Sequence, residues 1–294
     1  MPRSRRKLLA VAALGLIGVV GGMAIAQPPW GRGPGGWRRQ NPLDGIPDDR
    51  AGVPDWKVDE RFKKDVFTFA RVQYSSGYGM GRRGRGGWGG GTWDTDWPDS
   101  DLNFSYRLQQ LTSLKVNPKS VIVRLTDEDL FDYPFLYMIE PGRLVFSEEE
   151  VVALRRYLLN GGFLMVDDFW GEAQYQNFYR EIKRVFPDRE PAELDLSHPV
   201  FQCVYRLKER PQVPSIHTWA YSGETWEDHG PGSREVHYRG ISDDKDRLMV
   251  LICHNTDLGD GWEREGENAE YFHEFSEKKS YPMGINIVTY AMTH

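Results

Sequence analysis

The chain has few cysteines: its 294 residues include two, Cys203 and Cys253, both in strand-like apolar stretches. An oxidising compartment would allow them to pair, but two buried free thiols are the simpler prediction, because free cysteine is among the most buried residue types. Neither lies in a Gly-x-Cys-x-Gly turn, and the sequence has no G-x-S-x-G motif. The sequence therefore excludes a cysteine or serine nucleophile on a sharp strand-to-helix turn.

The common metal signatures are also missing, because the chain has neither an H-E-x-x-H nor a C-x-x-C motif. One segment, WDTDWPDSDLN at residues 93–103, collects four aspartates around two tryptophans. Oxygen-rich spacing of this kind can bind calcium, but the central glycine and terminal glutamate of the EF-hand loop are absent. Turns and helix caps are the commoner use of such aspartates. Asp96 is kept as a candidate ligand.

The first 26 residues predict a signal peptide. Four basic residues precede an uncharged apolar run, residues 8–26, which ends in Ala-Ile-Ala. This order is typical of a secretory signal, and SRRKLL at residues 4–9 resembles a twin-arginine signal. An uncleaved anchor is the alternative, because the run is about long enough to span a bilayer. Both interpretations place the protein outside the cytoplasm, in the periplasm or cell envelope.

Net charge argues against nucleic acid as a partner. The chain has 37 basic and 43 acidic residues, and removing residues 1–26 takes away four basic residues and no acidic ones, so the remainder carries 33 − 43 = −10. An acidic surface repels a phosphate backbone. We therefore expect no general binding of nucleic acid.

Two segments lack a periodic apolar pattern. Residues 27–64 are rich in Pro, Gly, Trp and Arg and predict a disordered lead-in to an α/β domain at residues 65–294. Residues 77–92 are rich in Gly and Arg, and a flexible loop is the main prediction. Binding of a polyanion by its arginines is the alternative. No helix pattern follows the glycines, so a dinucleotide-binding fingerprint is poorly supported.

Residues 147–171 predict a helix, a tight turn and a buried strand in succession. Ser147 and Glu150 form a capping-box signature at the start of the helix. Asn160-Gly161-Gly162 supplies the left-handed residue that ends a helix. Residues 163–166, Phe-Leu-Met-Val, are apolar on both alternations, as expected of a parallel strand covered on two faces.

The same alternation of strand and helix patterns continues along the chain. It predicts an α/β domain of three layers, with a mainly parallel sheet and helices on both faces. The other predicted strands cover residues 66–74, 120–125, 135–139, 235–241 and 247–254, and the other predicted helices cover residues 102–114, 172–185 and 281–292.

Polar residues follow two of the predicted strands directly. Ligands of open α/β sheets bind outside the carboxyl ends of strands, so these residues predict a site. The alternative for Asp168 is a cap on the following helix. Tryptophans on loops stack on ligands, fill interfaces or close the end of a sheet. The candidate site residues are Asp96, Asp167, Asp168, Trp170, His254, Asn255 and Asp257.

Several blocks of the chain resemble one known family. YPFLYMIEPG, LRRYLLNGGFLMVDDFWG, NTDLGDGWE and YPMGINIVTYAMTH occur in order within residues 65–294. In these blocks the chain resembles the bacterial family called domain of unknown function 4159. The resemblance implies a fold like that of class I glutamine amidotransferases, with a flavodoxin-like sheet and no established activity. It also implies membrane-associated AAA-type ATPases and von Willebrand A-type proteins as partners.

The amidotransferase resemblance implies a cysteine at the sharp turn after the central strand, and this chain departs from that pattern. Asp167 and Asp168 occupy the matching position, and an aspartate cannot supply thiolate chemistry. Two functions remain open. The first is an exported, non-catalytic binding or scaffold domain without a cofactor. The second is a metal-assisted hydrolase or carbohydrate-active enzyme that uses Asp167 or Asp168 with His254 and Asp257.

Overall fold

A computed structural model of the protein describes residues 50, 52–62, 65–77 and 93–294. The predicted signal peptide, the lead-in up to residue 49 and residues 78–92 of the Gly/Arg-rich loop lie outside the described residues. The predictions on those segments therefore stay predictions. Within the part of the chain that is described, no helix has the length and apolarity needed to cross a membrane.

Seven strands form one mixed sheet in the order β2-β1-β3-β4-β7-β6-β5. Neighbours from β2 to β7 in this order run parallel, whereas β6 is antiparallel to β7 and to β5. The strands are β1 (Ala70–Val72), β2 (Val121–Val123), β3 (Phe135–Ile139), β4 (Phe163–Asp167), β5 (Ala192–Glu193), β6 (His237–Ser242) and β7 (Leu248–His254).

The antiparallel edge departs from the mainly parallel sheet that the pattern predicts. Residues 243–247 join β6 to β7 through a tight turn, in which Asp243 and Arg247 bond to each other through their backbones. A parallel connection needs a dozen or more residues, so two strands separated by so few must pair antiparallel. The α/β class is confirmed, with a sheet that is partly antiparallel.

Seven α-helices follow or separate the described strands. They are α1 (Asp99–Leu111), α2 (Glu148–Leu159), α3 (Gly171–Val185), α4 (Ile216–Ser222), α5 (Leu258–Glu263), α6 (Ala269–Tyr271) and α7 (Tyr281–Thr293), with a π-helix at Phe272–Ser280 between the last two. The capping box of α2 is confirmed, because Ser147 accepts from the Glu150 N–H while the Glu150 carboxylate accepts from the Ser147 N–H.

Alternate residues of the central strands enter two separate apolar clusters. Phe135, Tyr137 and Ile139 of β3 belong to the first cluster, with side chains of α1, α5 and α7. Leu136 and Met138 belong to the second, with side chains of α2 and α3. Successive side chains of a strand point to opposite faces, so both faces of β3 are buried.

The first predicted strand is shorter than its apolar pattern. The pattern covers residues 66–74, but β1 contains Ala70–Val72 and Phe67 makes an isolated bridge to Val116. Trp56, in the described end of the lead-in, donates its indole N–H to the Val116 carbonyl at 2.8 Å. Residues 52–62 thus contact the domain.

Both cysteines are free, as predicted, but they differ in exposure. Cys253 lies in β7 and is buried, whereas Cys203 is exposed. The prediction of a second buried thiol was wrong, because Cys203 follows a short 3₁₀ turn, Pro199–Phe201, rather than lying in a strand. Its Sγ donates to the Asn286 carbonyl at 3.2 Å.

Candidate functional site

Three adjacent parallel strands end at one cleft. The residues that follow β3, β4 and β7 are Glu140, Asp168 and Asn255, and each has a left-handed backbone, with φ of 49°, 53° and 61°. The cleft beside them has a volume of about 340 Å³. Six carboxylates line it: Asp96, Glu140, Asp168, Glu227, Asp257 and Asp260.

Asp168 reaches the cleft because the chain turns sharply where β4 ends. Its N–H donates to the Thr256 carbonyl at 3.1 Å, which ties the end of β4 to the end of β7. One carboxylate oxygen accepts from the Trp170 indole N–H at 2.9 Å. Aspartate adopts left-handed backbone more readily than most residues, so this residue type suits the turn. Asp168 does not cap α3, since the N-cap position is Trp170 and has no side-chain cap.

Asp257 and Asp260 lie at the start of α5, directly after β7. The Asp257 carboxylate caps the helix by accepting from the Asp260 N–H at 2.7 Å. The Asp260 carboxylate accepts from the Ile216 N–H at 2.8 Å and from the Tyr271 hydroxyl at 3.1 Å. Spaced three residues apart, the two carboxylates are neighbours on one helical turn.

Asp96 enters the cleft from the segment between β1 and α1. Arg71 of β1 holds this segment by donating to the carbonyls of Trp93, at 3.1 Å, and Thr95, at 2.8 Å. The Arg71 guanidinium also forms a buried ion pair with Asp101 at 2.5 Å. Within the described residues, Asp96 Oδ2 is buried and has no hydrogen-bond partner.

Asp167 lies at the end of β4 but does not line the cleft. Its side chain is 0 % exposed, and one oxygen accepts from the Tyr137 hydroxyl at 3.2 Å and the Gly259 N–H at 3.0 Å. The other oxygen has no partner among the described residues. Burial raises the pKa of Asp167 to about 7, against the lowering effect of these hydrogen bonds.

Burial and neighbouring carboxylates both disfavour the charged form of the carboxylates in the cleft. Burial raises the pKa of Asp96, Asp168 and Asp257 well above the usual range. Neighbouring carboxylates add to this rise: Glu263 beside Asp96, Glu140 beside Asp168, and Asp168 beside Asp257. Like charges at short range disfavour ionisation, so a cation placed among these groups would favour their charged form.

His254 is turned away from the cleft. Its ring packs against Phe169 and Tyr175, at centroid distances of 4.9 and 5.0 Å. Its Nε2 donates to the Gly171 carbonyl at 3.1 Å, so Nδ1 is left to accept from Arg239 at 3.2 Å. Burial lowers the pKa of His254 to about 3, so the ring is neutral. The structure thus does not bring His254 together with Asp168 and Asp257.

Three carboxylates come close enough to share a metal ion. One oxygen each from Asp96, Asp260 and Glu263 lies within 4.8 Å of the others. Arg264 stands beside this trio, with its Nε 2.5 Å from Glu263 and 3.5 Å from Asp260. Among the described residues, Asp260 and Glu263 each form an ion pair with Arg264, whereas Asp96 forms no ion pair.

The sequence prediction captured part of the lining. Asp96, Asp168, Trp170 and Asp257 line the cleft, whereas Asp167, His254 and Asn255 support it from outside. The prediction missed Asp260, which the spacing of three residues from Asp257 would have indicated. It also missed Glu140, Ser215, Glu227 and His229, which come from turns and a loop without any apolar period.

A family comparison matches most of this domain. The model of the family described as domain of unknown function (DUF4159) covers residues 68–292, which is more than half of the chain. The chain belongs to the DUF4159 family. This confirms the resemblance expected from the sequence blocks, and the matched range includes every residue that lines the cleft. A search among curated proteins gives no match.

Proposed function

We propose that this DUF4159 protein is an exported binding domain whose cleft takes a cationic ligand. The observation that carries the proposal is that six carboxylates, among them Asp96, Asp168 and Asp257, converge on one cleft, against one arginine, Arg143, in its described lining. Within the described residues, none of the three is in an ion pair. Buried carboxylates are costly unless paired, so a bound cation would relieve this cost.

The proposed fold is the flavodoxin-like, three-layer arrangement of class I glutamine amidotransferases, without their nucleophile. The placement of the two cysteines supports a binding role: neither lines the described cleft, since Cys253 is buried in β7 and Cys203 bonds to Asn286. Ser215 does line it, but its hydroxyl caps α4 by accepting from the Thr218 N–H. No cofactor is proposed.

Direct titration tests the proposal. Purified protein would be titrated with Mg²⁺, Ca²⁺, Mn²⁺ and spermidine, with calorimetry and thermal unfolding as readouts. We expect at least one of these cations to raise the unfolding temperature, because ligand binding stabilises the native state. The variant with Asp96, Asp168 and Asp257 all changed to Asn should lose the effect.

The matched control for charge changes three exposed carboxylates, Glu128, Glu149 and Glu270, to Gln. This control should bind like the wild type, since exposed charges act weakly at a distance in salt. A wild type that binds none of the four probes would refute the proposal. Equal loss of binding in the control and in the triple variant would show a general charge effect instead.

A metal-assisted hydrolase is the second candidate, and the spacing of Asp96, Asp260 and Glu263 favours it. A divalent ion held by these oxygens would lower the pKa of bound water and activate it. His254 would take no part, since its ring bonds to Gly171 and Arg239. Turnover of chromogenic esters or glycosides that needs Mn²⁺ and is lost in Asp260→Asn would favour this function over a binding role.

For the location and the partners of the protein, we propose what the sequence predicts. Export predicts that the mature chain from the native host begins at or near Gln27, which N-terminal sequencing checks. A chain still starting at Met1 in the membrane fraction would indicate an anchor. As partners we propose membrane-associated AAA-type ATPases and von Willebrand A-type proteins, and co-purification from membranes of the host tests this association.

A further inference from the structure

Asn255 connects three of the segments that line the cleft. It follows β7, its side chain is 0 % exposed, and its backbone is left-handed. Asparagine is one of the few residues with a side chain that adopts this conformation readily. Asparagine therefore suits this position, because it adopts the left-handed backbone and its buried amide can form hydrogen bonds.

The first set of bonds joins Asn255 to the start of α3. The Asn255 Oδ1 accepts from the Gly171 N–H at 2.8 Å. The Asn255 N–H donates to the Phe169 carbonyl at 2.9 Å. These bonds hold both sides of Trp170 and therefore the turn that carries Asp168 into the cleft.

The second set of bonds joins Asn255 to the loop that carries Glu227 and His229. Its Nδ2 donates to the Gly232 carbonyl at 2.7 Å and to the Glu235 carbonyl at 2.6 Å. All of the amide's side-chain hydrogen-bonding groups are thereby used inside the protein. Asp257 lies two residues further along the same chain, so the third segment begins at Asn255 itself.

We propose that Asn255 is a positioning residue that sets the geometry of the cleft, not a ligand-binding group. Its amide bonds to Gly171, Gly232 and Glu235 and is 0 % exposed, so it does not line the cleft. Only the binding measurement of this inference rests on the proposed function. The geometric part can be measured without any ligand.

Asn286 provides a matched control in a distant part of the domain. It lies in α7, is also 0 % exposed, and also makes three side-chain bonds to backbone groups. Its Oδ1 accepts from Val204 and Tyr205, at 3.1 and 2.8 Å, and its Nδ2 donates to the Tyr205 carbonyl at 2.8 Å. Replacing either amide by a carboxylate removes the donors and sets an oxygen against a carbonyl.

The experiment compares Asn255→Asp with Asn286→Asp by native-state hydrogen exchange and by Mn²⁺ titration. Local opening raises exchange in the segment that opens, whereas a general loss of stability acts on the slowest amides throughout. We expect Asn255→Asp to raise exchange jointly in residues 167–171, 229–235 and 255–260. It should weaken Mn²⁺ binding by about tenfold or more, which Asn286→Asp should not.

Equal loss of global stability in both variants, with no joint local opening in Asn255→Asp, would overturn the inference. If wild type binds no Mn²⁺ but the three segments still open together, the positioning role stands and the proposed binding function with this probe fails. If Asn255→Asp does not fold, Asn255→Gly keeps the left-handed backbone without the carboxylate and is compared with Asn286→Ala in the same way.

Discussion

Two carboxylates five residues apart show how differently this protein treats buried charge. Asp101 is fully buried and pairs with Arg71 through both of its oxygens. Asp96, on the same segment, has a buried oxygen with no partner in the part of the chain that is described. Arg71 contacts the backbone of that segment on the near side of Asp96, at Thr95, without bonding to the Asp96 carboxylate.

The difference separates a structural polar cluster from a binding surface. Around Arg71 every group is satisfied by another, as is usual for buried polar groups in folded proteins. In the cleft, burial raises the pKa of Asp96, Asp168 and Asp257, and neighbouring carboxylates add to the rise. Unpaired groups of this kind cluster at functional sites, where a ligand rather than the fold supplies the partner.

The largest expected effect comes from changing aspartate to asparagine at each of the two positions, 101 and 96. Asp101→Asn leaves the buried Arg71 guanidinium without its counter-charge, so we expect a loss of about 3 kcal/mol or more in the free energy of unfolding. Asp96→Asn removes a carboxylate that forms no ion pair with any described residue, and asparagine suits the left-handed backbone at φ 60°. It should be neutral or stabilising, as measured by urea unfolding.

Equal destabilisation by the two substitutions would contradict the comparison, because it would mean that Asp96 has a stabilising partner. A useful control is Arg184→Met, which breaks half-exposed ion pairs with Glu148 and Glu181. Exposed pairs contribute little, so this variant should lose far less stability than Asp101→Asn.

A smaller effect of opposite sign is expected from Asp168→Asn. The substitution retains an oxygen to accept from the Trp170 indole and removes only the charge. Because burial and Glu140 raise the pKa of Asp168, its ionisation destabilises the folded state near neutral pH. We expect stability to rise by about 1 kcal/mol while cation binding falls. A loss of stability without a change in binding would contradict this expectation.

The pH dependence of stability provides a third test. Asp167 has a pKa near 7 in the folded state and an ordinary value of 3.8. Between these values the folded protein holds a proton that the unfolded chain has lost, so stability falls as the pH rises from about 4 to about 7. The slope from one such group is at most about 1.4 kcal/mol per pH unit.

Asp167→Asn should reduce this slope by up to one proton, and thermal unfolding across the pH range measures it. The oxygen that accepts from Tyr137 and Gly259 is retained in the variant. An unchanged slope would show that Asp167 is ionised throughout the range, with a partner for its second oxygen.

The smallest expected effect is that of salt. Repulsion among the carboxylates of the cleft is screened by added NaCl, so the unfolding temperature of wild type should rise slightly with salt. The rise should be smaller in the variant with Asp96, Asp168 and Asp257 all changed to Asn. If the unfolding temperature rises equally in both proteins, the salt effect comes from the rest of the acidic surface and not from the cleft.

Local sequence signals predicted the central part of the fold well. The capping box at Ser147, the glycines after α2 and the apolar run of β4 each depend on interactions within a few residues. The prediction of a mainly parallel sheet did not give the direction of β6 and β7, which pair antiparallel. The short turn at residues 243–247 determines their direction, and its length was visible in the sequence.

The site was predictable only where it follows a strand. Asp168 and Asp257 could be found because the carboxyl ends of parallel strands meet at one edge of a sheet. His254 occupies an equally promising position in the sequence, yet its ring turns to Gly171 and Arg239. The direction in which such a side chain turns depends on its hydrogen-bond partners. These partners come from distant segments, and no local pattern in the sequence indicates them.

The sequence alone determined the class of the domain, its family and the absence of a nucleophile motif, because these depend on local periodicity and on the residue types present. Tertiary structure decided which carboxylates share a cleft and which are paired. Asp96 and Asp101 have the same side chain in the same segment, and their difference arises because Arg71, from another strand, reaches only one of the two carboxylates. The charge state of a buried group is set by its neighbours in space.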